Sequence, residues 1–181
     1  MSNKLFKQYK ELARPALIKS GSRDEIRWLQ EKLRRRKVTH EQVREGRRAT
    51  RLAQGQMLTY AYDPKTKETL PYWDTQPLII LLDFTKDGWY GANLHYLPPS
   101  LRAELLYELN TKNSNLAKIK MKLENNKYTR ACLKRYLTSH LVTKPVRIPK
   151  DEWAIAVSLP FEAFEGATKK TVWTDSRKKI R

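Results

Sequence analysis

The sequence predicts an α+β domain: a small antiparallel β-sheet or partial barrel over about residues 57–97, packed by helices and carrying a basic N-terminal helical arm. Three observations predict it. In GQMLTYAYDP, Met57, Thr59 and Ala61 alternate with Leu58, Tyr60 and Tyr62, and further on Leu78-Ile79-Ile80-Leu81-Leu82 is an unbroken aliphatic run. Alternation marks a half-buried strand, and unbroken apolarity marks one buried on both faces. On either side of that stretch, apolar residues recur at helical spacing. Charge divides the chain in the same places. Residues 56–110 hold 4 Lys and Arg against 7 Asp and Glu, whereas residues 1–55 hold 16 against 6. Residues 111–165 hold 11 against 5, and residues 166–181 hold 6 against 1. An apolar, slightly acidic centre between basic flanks divides into a helical arm at 1–54, an α+β core at 55–165 and a basic C-terminal helix at 166–181.

Taken in order, residues 3–19 form a helix with Leu5, Tyr9, Leu12 and Ala16 on one stripe, kinked or ended by Pro15. Ser22 and Glu25 make a capping box for a second helix over 23–37, with Ile26, Trp28, Leu29 and Leu33, whose basic end suits the helix dipole. Thr39 and Gln42 make another box for a helix over 40–52, on which Arg44, Arg47, Arg48 and Arg51 share much of one face. Gly55 breaks the helical pattern. A first strand ends at Asp63-Pro64, and PKTKE is a charged turn. Pro77 opens a second strand over 78–84. Thr85-Lys86-Asp87-Gly88 is a hairpin turn, with Gly88 at the position that favours positive φ, and a third strand returns over 89–97.

Pro98-Pro99-Ser100 starts a helix whose stripe is Leu101, Leu105, Leu106 and Leu109. Helices over 116–123 and 128–141 follow, the second turning Ala131, Leu133 and Leu137 inward and burying Cys132 as a small hydrophobe. Pro145 and Pro149 bracket a short edge strand at 146–149. A short helix runs from Asp151 through Trp153, Ile155, Ala156 and Leu159. Phe161 and Phe164 pack on the core, and Thr168 caps a last helix bearing Val172 and Trp173.

A formal net charge of +18 and a pI near 10.1 imply a polyanionic partner, because self-repulsion on this scale costs stability unless something neutralises it. The basic helical segment carries the strongest functional signal. Arg34, Arg35 and Arg36, with Arg44, Arg47, Arg48 and Arg51, have the density that neutralises phosphates without reading sequence. Most such runs are merely solvated helix faces, but here the acids that would offset the charge are missing. The tail adds Lys169, Lys170, Arg177, Lys178, Lys179 and Arg181, of which Lys178 and Lys179 assist the arginines. Tyr60, Tyr62, Tyr72, Trp73, Trp89, Tyr90 and Tyr96 could stack bases, although most alternate with aliphatics and would simply fill a core.

The catalytic inventory is thin, and no enzyme, cofactor, metal or small-molecule substrate is expected. His40, His95 and His140 form no HxxxH, no CxxC accompanies Cys132, and phosphate-loop and nucleophile-elbow motifs are absent. A metal-dependent nuclease built on Asp83 and Asp87 would need clustered carboxylates. A turn of Asp, Lys86 and Gly is ordinary turn chemistry. The N-terminus has no apolar signal region and no stretch is long enough to span a bilayer, so no membrane partner is expected. One cysteine agrees with a reducing compartment.

LPYWDTQPLIILLDFTKDGWYGANLHYLPPSLRAELL, the preceding TYAYDPKTKETLPYWD and the ending LPFEAFEGATKKTVWTDSRKKI resemble a family of small basic virion proteins of T-even-like tailed bacteriophages, labelled DNA end protectors or structural proteins. The likeness covers roughly residues 20–181. It implies a virion protein, present in the host cytoplasm during assembly, whose partners are phage genomic DNA and neighbouring virion proteins. Two roles follow as expectations: binding or protecting genome ends, or sitting on the DNA path at portal, neck or tail. The alternative is a connector or baseplate component whose basic arms bind acidic neighbouring subunits. The resemblance assigns no individual residue a role.

Overall fold

The computed structural model describes residues 3–17, 23–47, 51–110, 115–125 and 130–178. Three N-terminal helices, α1 (Lys4–Leu17), α2 (Arg23–Leu33) and α3 (His40–Arg44), precede the strands β1 (Met57–Thr59), β2 (Trp73–Asp74), β3 (Leu78–Thr85) and β4 (Gly88–Asn93). Helices α4 (Pro99–Asn110) and α5 (Leu116–Asn125) lead to β5 (Leu133–Leu137) and β6 (Val146–Ile148). The chain closes with α6 (Trp153–Ser158), β7 (Phe164–Glu165) and α7 (Lys169–Lys178). The fold is α+β as expected, and its main sheet is antiparallel and five-stranded, in the order β5-β4-β3-β1-β6. It has two free edges, so it is not a closed barrel. A separate ribbon pairs β2 with β7. Among the described residues no helix is long and apolar enough to cross a membrane.

Both faces of the sheet are apolar, which is why residues 78–82 carry no polar alternation. Leu78, Ile80 and Leu82 join Met57, Ala92 and Ile148 in the larger core, while Ile79 and Leu81 join Leu58, Tyr60, Tyr62, Trp89 and Tyr136 in a smaller one. A bulge between Leu81 and Asp83 shifts the β3–β4 register. The larger core also takes Leu5, Phe6 and Tyr9 of α1, Ile26, Leu29 and Leu33 of α2, and Val43 of α3. The segment expected as a basic arm therefore shares its apolar contacts with the sheet. Asn3 ties it down further: its Oδ1 accepts from the Phe6 N–H at 3.3 Å, and its Nδ2 donates to the Gln42, Val43 and Glu45 carbonyls at 2.8, 3.2 and 2.8 Å. One buried amide thus caps the start of α1 and satisfies carbonyls at the end of α3.

Several boundaries follow the expected chemistry. The Thr39–Gln42 capping box forms in both directions, Thr168 accepts from the Thr171 N–H at the start of α7, and β6 is an edge strand. Others differ. Helix α2 ends at Leu33, where the Arg36 N–H donates to the Leu33 carbonyl and closes a turn. Helix α3 ends at Arg44, not near 52, because Glu45 is extended and Gly46 takes φ +68°, a conformation that suits glycine. The third strand stops at Asn93, whose side chain caps the 3₁₀ turn Leu94–Tyr96. Ser22, expected as an N-cap, lies outside the described residues.

The largest correction is the helix expected over 128–141. Residues 133–137 are β5, the strand that extends the sheet beyond β4, with Trp89 opposite Tyr136 and Gly91 opposite Lys134. The helical spacing of Ala131, Leu133 and Leu137 is real, but pairing with β4 places the Tyr136 ring 5.5 Å from Tyr60 and 5.0 Å from Tyr62, and that packing overrides local periodicity. Cys132 is buried in the turn before β5, and burial pushes its thiol up to about 12. Gly88 is also not the positive-φ residue expected. It is small because a Cβ there would lie 1.8 Å from the Tyr136 carbonyl oxygen. Gly88→Ala should therefore destabilise the protein by about 3 kcal/mol, the upper end of overpacking costs. Urea unfolding measures this, and a loss below about 1 kcal/mol would contradict so close an approach of β5.

Candidate nucleic-acid interface

The basic residues picked out by sequence fall into two structural groups. Arg34, Arg35 and Arg36 form the turn after α2 and are exposed, as is Arg51. Arg44 and Arg47 are engaged within the molecule. Arg44 is half-buried, its Nη1 donating to Gln76 Oε1 at 3.3 Å and Thr143 Oγ1 at 3.2 Å. The Arg47 side chain is 5% exposed, ion-paired with the equally buried Glu152, and its guanidinium stacks 4.2 Å from the Phe6 ring centroid. Since α3 ends at Arg44, the expected shared helix face of Arg44, Arg47 and Arg51 does not form. Arg48 and Lys179 lie outside the described residues, and Lys178 is the last described residue of α7.

What the fold does bring together is a cavity of about 470 Å³ between helix α2 and the basic C-terminal helix. Arg27 and Arg34 reach it from α2 and the turn beyond, and Lys169 from the first turn of α7. Pro99 and Ser100, at the start of α4, form part of its wall. At its base lies Arg102, 2% exposed. Its Nε donates to the Leu97 carbonyl at 2.7 Å, and its Nη2 to the His95 carbonyl at 3.3 Å and Glu162 Oε1 at 2.6 Å. Trp173 stands 5.4 Å from the guanidinium, and its indole N–H donates to the same His95 carbonyl. Lys169 Nζ sits 3.6 Å from Glu162 Oε2. Arg27 went unnoticed in the sequence because it stands between apolar residues of a helix. Arg102 did so because it lies in the acidic segment.

The other chemistry-bearing groups are committed to structure. Asp87 holds Arg135 through two contacts of 2.8 Å, and Asp83 takes Gln54 Nε2 at 3.0 Å and Lys120 at 3.5 Å. Among the described residues no group of three His, Cys, Asp or Glu side chains is placed to hold a metal ion. His95 Nδ1 meets Asp74 Oδ2 at 2.8 Å, where Asn93 Nδ2 also donates. Burial and the neighbouring His95 lower His40 to about 4, so it packs as a neutral ring on Phe161. Of the aromatics, Tyr60 and Trp89 are core residues, the Trp89 indole donating to the Tyr60 hydroxyl at 3.1 Å.

Burial alone would raise the Glu162 carboxyl, but Arg102, with His95 and Lys169, outweighs it and holds the group at about 2. A carboxyl depressed by folding contributes stability that is complete above its unfolded value, near 4.5, and is lost as pH falls towards 2. Across that window the protein should lose on the order of 3 kcal/mol from this group. Glu162→Gln should be less stable at pH 7 but shed less stability between pH 5 and 2. Urea unfolding at a series of pH values checks this, and parallel curves for the two proteins would refute it.

A model of the family described as phage T4 terminal DNA protecting protein matches residues 4–178. No curated protein and no solved structure matches the chain. The match takes in the basic helices, the sheet and the described C-terminal helix together. By the extent of that match, the chain belongs to the phage T4 terminal DNA protecting protein family.

Proposed function

We propose that this protein binds the ends of phage genomic DNA and shields them without chemistry of its own, as a component of the virion that meets its DNA in the host cytoplasm during assembly. The observation that carries the reading is the convergence of Arg27 and Arg34 with Lys169 on one cavity, which unites the two basic flanks of the sequence. Phosphate neutralisation at such a surface releases counterions and gives strong, salt-sensitive affinity without base readout. Arg34, Arg35, Arg36 and Arg51 are exposed and meet phosphates, assisted by Lys178 and Lys179. Arg44 and Arg47 contribute by holding α3 against the rest of the molecule. Protection follows from occlusion: an end covered by protein is closed to exonucleases. Acidic surfaces of neighbouring virion subunits are the alternative partner, at a connector or baseplate position, for which these cations are equally suited.

Binding to linear and circular duplex across a salt series tests the proposal. The protein should prefer linear DNA, slow exonuclease digestion, and leave circular DNA uncut with or without magnesium. Replacing Arg34, Arg35 and Arg36 with alanine should make the slope of log affinity against log salt shallower by roughly 2–3. Absence of DNA binding at low salt would overturn the proposal and favour acidic protein partners. Equal affinity for linear and circular duplex would remove the end-specific part.

A further inference from the structure

A second concavity shares no residue with the one between α2 and α7. Its lining comes from the β1–β2 connection, β2, the end of β4 and β5, and it encloses about 320 Å³. It continues into a neighbouring hollow of about 400 Å³, the two having Leu70, Tyr72, Tyr96 and Lys134 in common. Each is the size of a small-molecule site. The walls are aromatic: Tyr72 and Tyr96 lie 6.1 Å apart with their rings inclined by 38°, and Trp73 closes the first hollow. Trp73 is half-buried and faces the hollow. The Tyr72 phenol is raised by burial and then by the nearby Asp175, so it is a neutral donor at physiological pH.

The charged side chains of the groove's walls are mostly cations, of which Arg135 is already paired with Asp87. Lys65 and Arg135 line the first hollow, Arg130 lines the second, and Lys134 lines both, its Nζ standing 4.1 Å from the centroid of Tyr96. The one carboxylate in either lining is Asp74, whose side chain is 1% exposed and occupied by His95 and Asn93. Flat apolar faces beneath a cationic rim match a ligand with a planar base and an attached phosphate.

We propose that this groove takes an unpaired nucleotide at the DNA end, frayed or overhanging, with its base against Trp73 and Tyr72 and its phosphate held by Lys65 and Lys134. The inference rests on the DNA-end reading above and adds to it a second site, distinct from the arginine surface that meets the duplex. It makes the protein a reader of ends rather than of duplex alone.

Fluorescence anisotropy with three duplexes tests it: blunt, with two unpaired 3′ nucleotides, and with two unpaired 5′ nucleotides. A 2-aminopurine at the outermost unpaired position reports stacking. One of the overhanging duplexes should bind about tenfold more tightly than the blunt one, with quenching of the 2-aminopurine. Trp73→Ala should abolish both the preference and the quenching while leaving blunt-end affinity unchanged. Lys65→Glu, at an exposed position outside any strand, should weaken the preference without endangering the fold. Equal affinity for all three duplexes, or a preference that survives both substitutions, overturns this inference and leaves end binding intact. Failure to bind any of the three overturns both.

Discussion

The buried guanidinium of Arg102 fixes how the C-terminal half of this molecule is assembled. From within α4 it reaches two carbonyls just beyond β4, those of His95 and Leu97, and the carboxylate of Glu162 before β7. Three separately encoded pieces of chain are thereby located relative to one another by a single side chain. A charge so far from water is tolerable only when it is paired and its donors are used. The Arg102–Glu162 pair meets that condition, with two carbonyl contacts besides. Position follows from this requirement: α7 packs where Trp173 shares the His95 carbonyl, and that placement brings Lys169 opposite α2.

The same rule sorts the cations of a strongly basic protein. Arg47 is buried because Glu152 is there to meet it, and Glu152 is also within 3.6 Å of Lys10. His95 is buried beside Asp74. Acids are scarce in this sequence, and several of them are spent on these interior contacts. What remains outside is a surplus of exposed Lys and Arg with few carboxylates to offset it. Because the buried acids are met by buried cations, the surplus that the composition implies is left on the surface.

Much of the architecture was legible in the sequence. The aliphatic run at 78–82 announced a strand buried on both faces, and the Thr39–Gln42 box announced a helix start, because both depend on local residues only. The identity of β5 was not legible. YTRACLKRYL has helical spacing, and only the presence of β4, with Gly88 leaving room beside it, makes a strand the better solution. The end of α3 was missed for a related reason, since a regular spacing of arginines suggested continuity that Gly46 interrupts. These two misreadings also hid where charged residues sit. Read as helix, residues 128–141 gave no sign that Lys134 and Arg135 line an aromatic groove, and Arg44 and Arg47 looked like surface residues until their partners, distant in sequence, were in place.

Strand β5 forms an outer edge of the sheet, where unpaired backbone groups would accept a strand from any neighbour. It is also the strand that carries Lys134 and Arg135 side by side. Lys134 places a charge on this edge, which disfavours such zippering between identical copies, while the charge of Arg135 is met by Asp87. Basic residues at β5 therefore have two placements at once: they blunt an open sheet edge, and they line the aromatic groove beside it.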